Sequence, residues 1–123
     1  MSELTADKVH AALKAGVAKA TEIESPSSIT LLDSWRNLIG FLRMDYALLA
    51  SIEISQGKAY TSASLKMKTA DVTGAVQPGG PFYGMETSHR HPMVVFGGGV
   101  PIESGGAVGV AGGTIDNDVA VAE

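Results

Sequence analysis

Apolar and polar positions change period several times along this chain, and each change marks an element. Val9, Leu13, Val17 and Ala20 recur at helical spacing, a narrow stripe of the kind one helix face turns inward. Thr5 is the expected N-cap, and Asp7 falls in the first turn, where negative charge complements the helix dipole. Glu24-Ser25-Pro26-Ser27 breaks that period. Ser28 to Leu32 and Leu38 to Met44 read as strands, with Asp33-Ser34-Trp35-Arg36-Asn37 as the hairpin between them. A second helix is expected from Ala47 to about Leu65, with Asp45 as its cap and Leu48, Ile52, Ala59 and Ala63 on one face. Its small residues, Ser51, Ser55, Gly57 and Ser62, suit close packing against a sheet or against a neighbouring subunit.

The second half is patterned differently. Lys68 to Val76 reads as a short third helix. Gln77 to His91 contains Pro78, Gly79, Gly80, Pro81 and Gly84 and reads as a long loop, a length that in compact domains is often functional. Met93 to Phe96, Val100 to Glu103 and Ala107 to Ala111 are the expected third, fourth and fifth strands, with Gly105-Gly106 as a tight turn. In the fifth strand Val108 and Val110 share one face, while Ala107, Gly109 and Ala111 share the other and leave room for a helix. Thr114 is the expected cap of a last helix, with Asp116 and Asp118 at its positive end. Runs of strands between helices argue for an α+β fold with a mostly antiparallel sheet, not a doubly wound one.

Composition narrows the function classes. The 123 residues suit one domain spanning the whole chain, and 45% apolar with 18% charged residues argues for a packed core. The formal charge of -4 is uneven, because the last 55 residues hold six acids against Arg90 alone. With no basic stripe, nucleic acid is not an expected partner. The absence of cysteine excludes disulfides, thiolate catalysis and thiolate metal sites. No apolar run reaches membrane length and the N-terminus lacks an apolar signal core, so a soluble cytoplasmic protein with no membrane partner is expected. Eleven of the fifteen glycines lie from Gly79 onward, yet none builds a phosphate loop. The sole Gly-Lys is Gly57-Lys58-Ala59, and Gly97-Gly98-Gly99 has Ile102 where a dinucleotide fingerprint needs glycine.

Three blocks carry a family resemblance. The first is Leu32-Asp33 with Asn37-Leu38, running into Phe41-Leu42-Arg43-Met44-Asp45. The second is Ala50-Ser51-Ile52 through Gln56-Gly57-Lys58-Ala59-Tyr60-Thr61. The third is Gly98-Gly99-Val100-Pro101-Ile102, then Gly109-Val110-Ala111-Gly112-Gly113 and Asp116 to Ala120. In their order and spacing these resemble the GlcG/HbpS-like haem-binding family, which includes the C-terminal domain of PduO-type proteins. The resemblance implies a profilin-like α+β sandwich with a five-stranded antiparallel sheet flanked by helices. It also implies homo-oligomers, dimers or higher, and a setting beside catabolic enzymes. The family usually has glycine where this chain has Trp35-Arg36, and again where it has Tyr46.

Candidate chemistry follows from both lines. Haem-binding relatives take an iron ligand from the first helix, so the resemblance points to His10 as an axial candidate; an exposed helical histidine is the plainer account. His89 and His91, if extended, point the same way. With Glu86 they form a candidate divalent-metal site, or a general base and acid. A loop anchor or a subunit contact accounts for them equally. Arg43, with Asp45, is a candidate grip for a small carboxylate, or a structural ion pair. Tyr83 and Met85 are candidates to line an apolar pocket, unless the loop merely packs on its own core. Three functions stay open: a haem- or tetrapyrrole-binding accessory protein of a catabolic operon; an isomerase, lyase or hydrolase using His89, His91, Glu86 and Arg43; and a non-catalytic assembly subunit.

Overall fold

The computed structural model describes residues 4–88, 90–91, 93–103 and 105–123. The elements run α1 (Ala6–Glu22), β1 (Ser28–Leu32), β2 (Leu38–Arg43), α2 (Ser51–Leu65), α3 (Thr69–Val72), β3 (Gly99–Pro101), β4 (Ala107–Ala111) and α4 (Ile115–Ala122). Short 3-10 turns cover Thr73–Val76 and Met85–Thr87. The strands form one antiparallel sheet in the order β2-β1-β4-β3. The fold class is α+β as the sequence predicts, but the described sheet has four strands, not five. Met93 to Phe96, the missing strand, finds its hydrogen bonds elsewhere. Met93 N–H donates to the Glu86 carbonyl, Val94 N–H donates to Thr61 Oγ1, and Thr73 Oγ1 donates to the Val95 carbonyl. Threonine hydroxyls thus stand in for a neighbouring strand and hold the segment against α2.

Two helical layers cover the two faces of the sheet. On one face, Ile29, Leu31 and Val110 form the apolar core with Ala20 of α1 and Val121 of α4. On the other face the contact with α2 is polar. Ser28 Oγ meets Ser51 Oγ at 2.7 Å, and Thr30 Oγ1 meets Ser55 Oγ at 2.8 Å, all four side chains buried. The buried residues of α2 are Ser51, Ser55, Lys58, Ala59, Thr61 and Ser62, so its small polar residues face inward, alongside Ala59 of the expected apolar stripe. Gly109 makes that approach possible. A Cβ there would lie 2.6 Å from Ala59 N and collide with the Ser55 carbonyl.

Helix α2 starts later than its apolar spacing suggests. Tyr46 takes φ +72°, a left-handed conformation that costs an aromatic residue about 1 kcal/mol and interrupts a helix. Asp45 therefore caps nothing, and Ala50 precedes the helix without a side-chain cap. Arg36 is likewise left-handed, at φ +66°. At the other termini the expectations hold: Thr5 Oγ1 accepts from Lys8 N–H, and Thr114 Oγ1 accepts from Asn117 N–H.

A buried ion pair joins the layers. Lys58, fully buried on α2, donates through Nζ to the Val110 carbonyl at 2.7 Å and to Asp118 Oδ2 at 2.9 Å. Its ammonium also sits 4.8 Å from the centre of the Phe96 ring. Asp118 Oδ1 accepts from Gly113 N–H. Asp118 is thus more than a charge at the helix dipole: it sits at the end of the lysine's path. That path runs past Gly98, where a Cβ would lie 2.7 Å from Nζ. Burial pushes the Lys58 ammonium below its usual 10.5, while the hydrogen bond and charge of Asp118 oppose that fall. Asp118→Ala would leave a buried cation without its counter-ion and should cost about 3–5 kcal/mol in denaturant unfolding. Lys58→Met with Asp118→Leu removes both charges together and should unfold closer to wild type than Asp118→Ala alone.

Candidate functional site

The α2 residues Glu53, Gln56, Gly57 and Tyr60 fall at helical spacing on the side of the helix away from the sheet. With Ile54 they form the floor of a groove of about 790 Å³, within the range of small-molecule and cofactor sites. The β1–β2 hairpin supplies one wall through Trp35, Arg36 and Leu38, above Leu32. Arg90, His91 and Val94 supply the other.

Local chemistry builds the hairpin wall. Asp33 Oδ1 accepts from the N–H groups of Trp35 and Asn37, each at 2.9 Å, and Oδ2 accepts from Asn37 Nδ2. These bonds, the Asn37 N–H foremost, hold the Asp33 carboxyl below its usual 3.8. A register shift between Leu31 and Leu32 sets Leu38 opposite Leu32, bringing both to the groove. Arg36 then reaches over α2. Its Nη1 donates to Tyr60 Oη at 3.0 Å and to Ser64 Oγ at 3.4 Å, and its guanidinium lies 4.9 Å from the Tyr60 ring centre. His91 meets the same ring edge-on at 5.6 Å between centroids. Arg36, Tyr60 and His91 thus form one continuous column. It offers an aromatic ring, cation–π contact and an imidazole edge.

Of the candidate site residues named from sequence, His91 alone lines this groove among the described residues. His10 is exposed on α1, the helix that packs across the opposite face of the sheet. His89 lies outside the described residues. Glu86 sits in the 3-10 turn Met85–Thr87, and its Oε1 is buried with no hydrogen-bond partner among the described residues. Among the described residues no three His, Cys, Asp or Glu side chains gather as a metal site would need. Arg43 donates to the Ala47 carbonyl at 2.8 Å through Nη2, and no ion pair joins it to Asp45 among the described residues. Tyr83 is exposed and Met85 half-buried, both outside the groove's lining. Arg36 and Tyr60 escaped sequence reasoning as site residues, because nothing in their spacing reveals that the hairpin folds over the helix. Among the described residues no helix is long and apolar enough to cross a membrane.

Comparison with known proteins places the chain. A family model described as "Haem degrading protein HbpS-like" matches residues 4–123. The chain is 42% identical over 110 residues to a 15.0 kDa protein of Citrobacter freundii from the dhaT-dhaS intergenic region, covering 86% of this chain and 78% of that one. It is 35% identical over 124 residues to the corrinoid adenosyltransferase PduO of Citrobacter freundii, which takes in 98% of this chain but only 37% of PduO. Among solved structures, Klebsiella pneumoniae ORFY superposes with a TM-score of 0.93 at 36% identity, over 99% of this chain and 87% of that one. The PduOC:haem complex superposes with a TM-score of 0.93 at 30% identity, over 98% and 91%.

The groove wall should respond to acid. Because the Asp33 carboxyl is held low, its contribution is complete above pH 3.8 and is lost as pH falls through the lower folded value. Trp35, the single tryptophan, reports on it. Its emission should shift below pH 3.8 in wild type, and Asp33→Asn should abolish that pH dependence.

Proposed function

The chain belongs to the HbpS-like family of haem degrading proteins, and from that premise we propose that it binds haem or a related tetrapyrrole as an accessory protein. The observation that carries this reading is the groove itself, which sets His91 and Tyr60 beside Leu32, Trp35, Leu38, Ile54 and Val94 with Arg36 and Arg90 in its walls. The fold's likeness to the PduOC:haem complex supports it.

The residues present fit the group. Leu32, Leu38, Ile54 and Val94 would withdraw the macrocycle's faces from water. The His91 imidazole would supply a nitrogen ligand for iron. Haem, when bound, supplies iron redox and axial-ligand chemistry; the protein's part is to hold it, orient it and exclude water. His10, the candidate that the resemblance favours, has Ala6, Asp7 and Lys14 as exposed neighbours along α1. A site there would depend on a second subunit for its walls. Homo-oligomeric assembly, a cytoplasmic location and a place in a catabolic operon belong to the same proposal, and the relative from the dhaT-dhaS intergenic region supports a place beside other genes. Adenosyl transfer is not part of it, since the chain matches 37% of PduO.

A haemin titration followed in the Soret band tests the reading. Wild type should show a saturable, stoichiometric shift. His10→Ala should retain it, and His91→Ala should lose it or weaken it at least about tenfold, the effect of 1.4 kcal/mol. An equal, unsaturable shift in all three proteins would contradict the proposal.

A further inference from the structure

We propose that Arg36 grips a carboxylate of the bound ligand, so that the groove selects planar molecules bearing acidic side groups. This deepens the tetrapyrrole reading and rests on it.

The backbone supplies the first observation. Arg36 holds φ +66°, a conformation glycine adopts freely and arginine rarely does. The turn itself does not ask for arginine. Asp33 closes it through the Trp35 and Asn37 N–H groups, and Arg36 contributes only a main-chain N–H to the Asp33 carbonyl. Strain kept at a residue that the fold does not require points to a use for its side chain.

The side chain supplies the second. Tyr60 and Ser64 engage Nη1 alone, and the guanidinium carbon lies 4.9 Å from the Tyr60 ring centre. Nε and Nη2 have no hydrogen-bond partner among the described residues. That edge of the fork is the one that takes a carboxylate side-on through two parallel hydrogen bonds. Among the described residues no carboxylate supplies this from within. The described ion pairs are Lys19–Glu22, Lys58–Asp118 and Lys68–Glu123, and Glu53 in the groove pairs with neither Arg36 nor Arg90. Arg36 and Arg90, neither in an ion pair among the described residues, thus line one groove in a chain of net charge -4. The two carboxylates at one edge of protoporphyrin have the matching chemistry.

The plainer role for Arg36 is a tie between hairpin and helix, and the two roles separate experimentally. Metal-free protoporphyrin IX and its dimethyl ester are titrated by fluorescence against wild type, Arg36→Gly and Arg36→Lys, and each protein is melted without ligand. Wild type should bind the dicarboxylate at least about tenfold tighter than the diester. Arg36→Gly should lose that preference and melt at the same temperature or higher, since glycine relieves the strain. Arg36→Lys, which keeps the charge but not the fork, should lose most of the preference. Absence of the preference in wild type overturns the proposal, and so does its survival in Arg36→Gly. A melting point lowered by more than about 4 °C in Arg36→Gly, with the preference intact in Arg36→Lys, assigns the tie instead. Arg36-dependent binding of the metal-free dicarboxylate without a haemin Soret shift would sink iron ligation and leave this inference standing. Binding of neither porphyrin overturns both.

Discussion

Placing a lysine ammonium inside the sandwich sacrifices several kcal/mol of hydration, and the molecule offsets this by converging on one point. The Val110 carbonyl, Asp118 and the Phe96 ring all meet Lys58 there. Much of the architecture follows from that meeting. Asp118 must sit one turn into α4, which sets how the helix docks. Gly98 must lack a side chain, because the lysine passes through the space a Cβ would fill. With Lys58 turned inward, the rotation of α2 is set. A residue two positions on is turned through about 200°, so Tyr60 faces away from the sheet and becomes the floor of the groove. The buried pair thus positions the site without belonging to it.

The polar contact between α2 and the sheet explains where sequence reasoning succeeded and where it failed. Ser28 to Leu32 and Ala107 to Ala111 are strands with the bounds their patterns suggest, because Pro26 and the 33–37 turn flank the first and paired glycines flank the second. The small face of the latter does receive α2 at Gly109. Hydropathy misplaces the buried face of α2, since serine and threonine hydroxyls satisfy one another across the interface and bury as readily as alanine. A signal was present: Ser51, Ser55, Lys58 and Ser62 fall at i, i+4, i+7 and i+11, a polar stripe at helical spacing. Met93 to Phe96 has the β-propensity of a strand, yet Thr61 and Thr73 claim its backbone. No local pattern reports a competition between a neighbouring strand and two distant hydroxyls.

The groove was half legible for the same reason. His91 stood out as chemistry in a loop. Trp35-Arg36 and Tyr46 stood out as departures from the glycines that the resemblance implies, and the structure gives two of them a conformation. Arg36 and Tyr46 do occupy left-handed backbone, the conformation that glycine adopts most freely. Sequence shows that such residues are unusual. Only the folded hairpin, closed by Asp33 and laid across α2, shows that one of them reaches Tyr60 and shares its ring with His91.

The central claim is that the ligand lies between the hairpin, the outer face of α2 and the segment carrying His91. Amide chemical-shift mapping with a diamagnetic metalloporphyrin such as the gallium complex tests it most directly. The account predicts saturable shifts at Trp35, Arg36, Ile54, Tyr60, His91 and Val94, with α1 unmoved. Shifts concentrated around His10 on α1, with the groove silent, would contradict it.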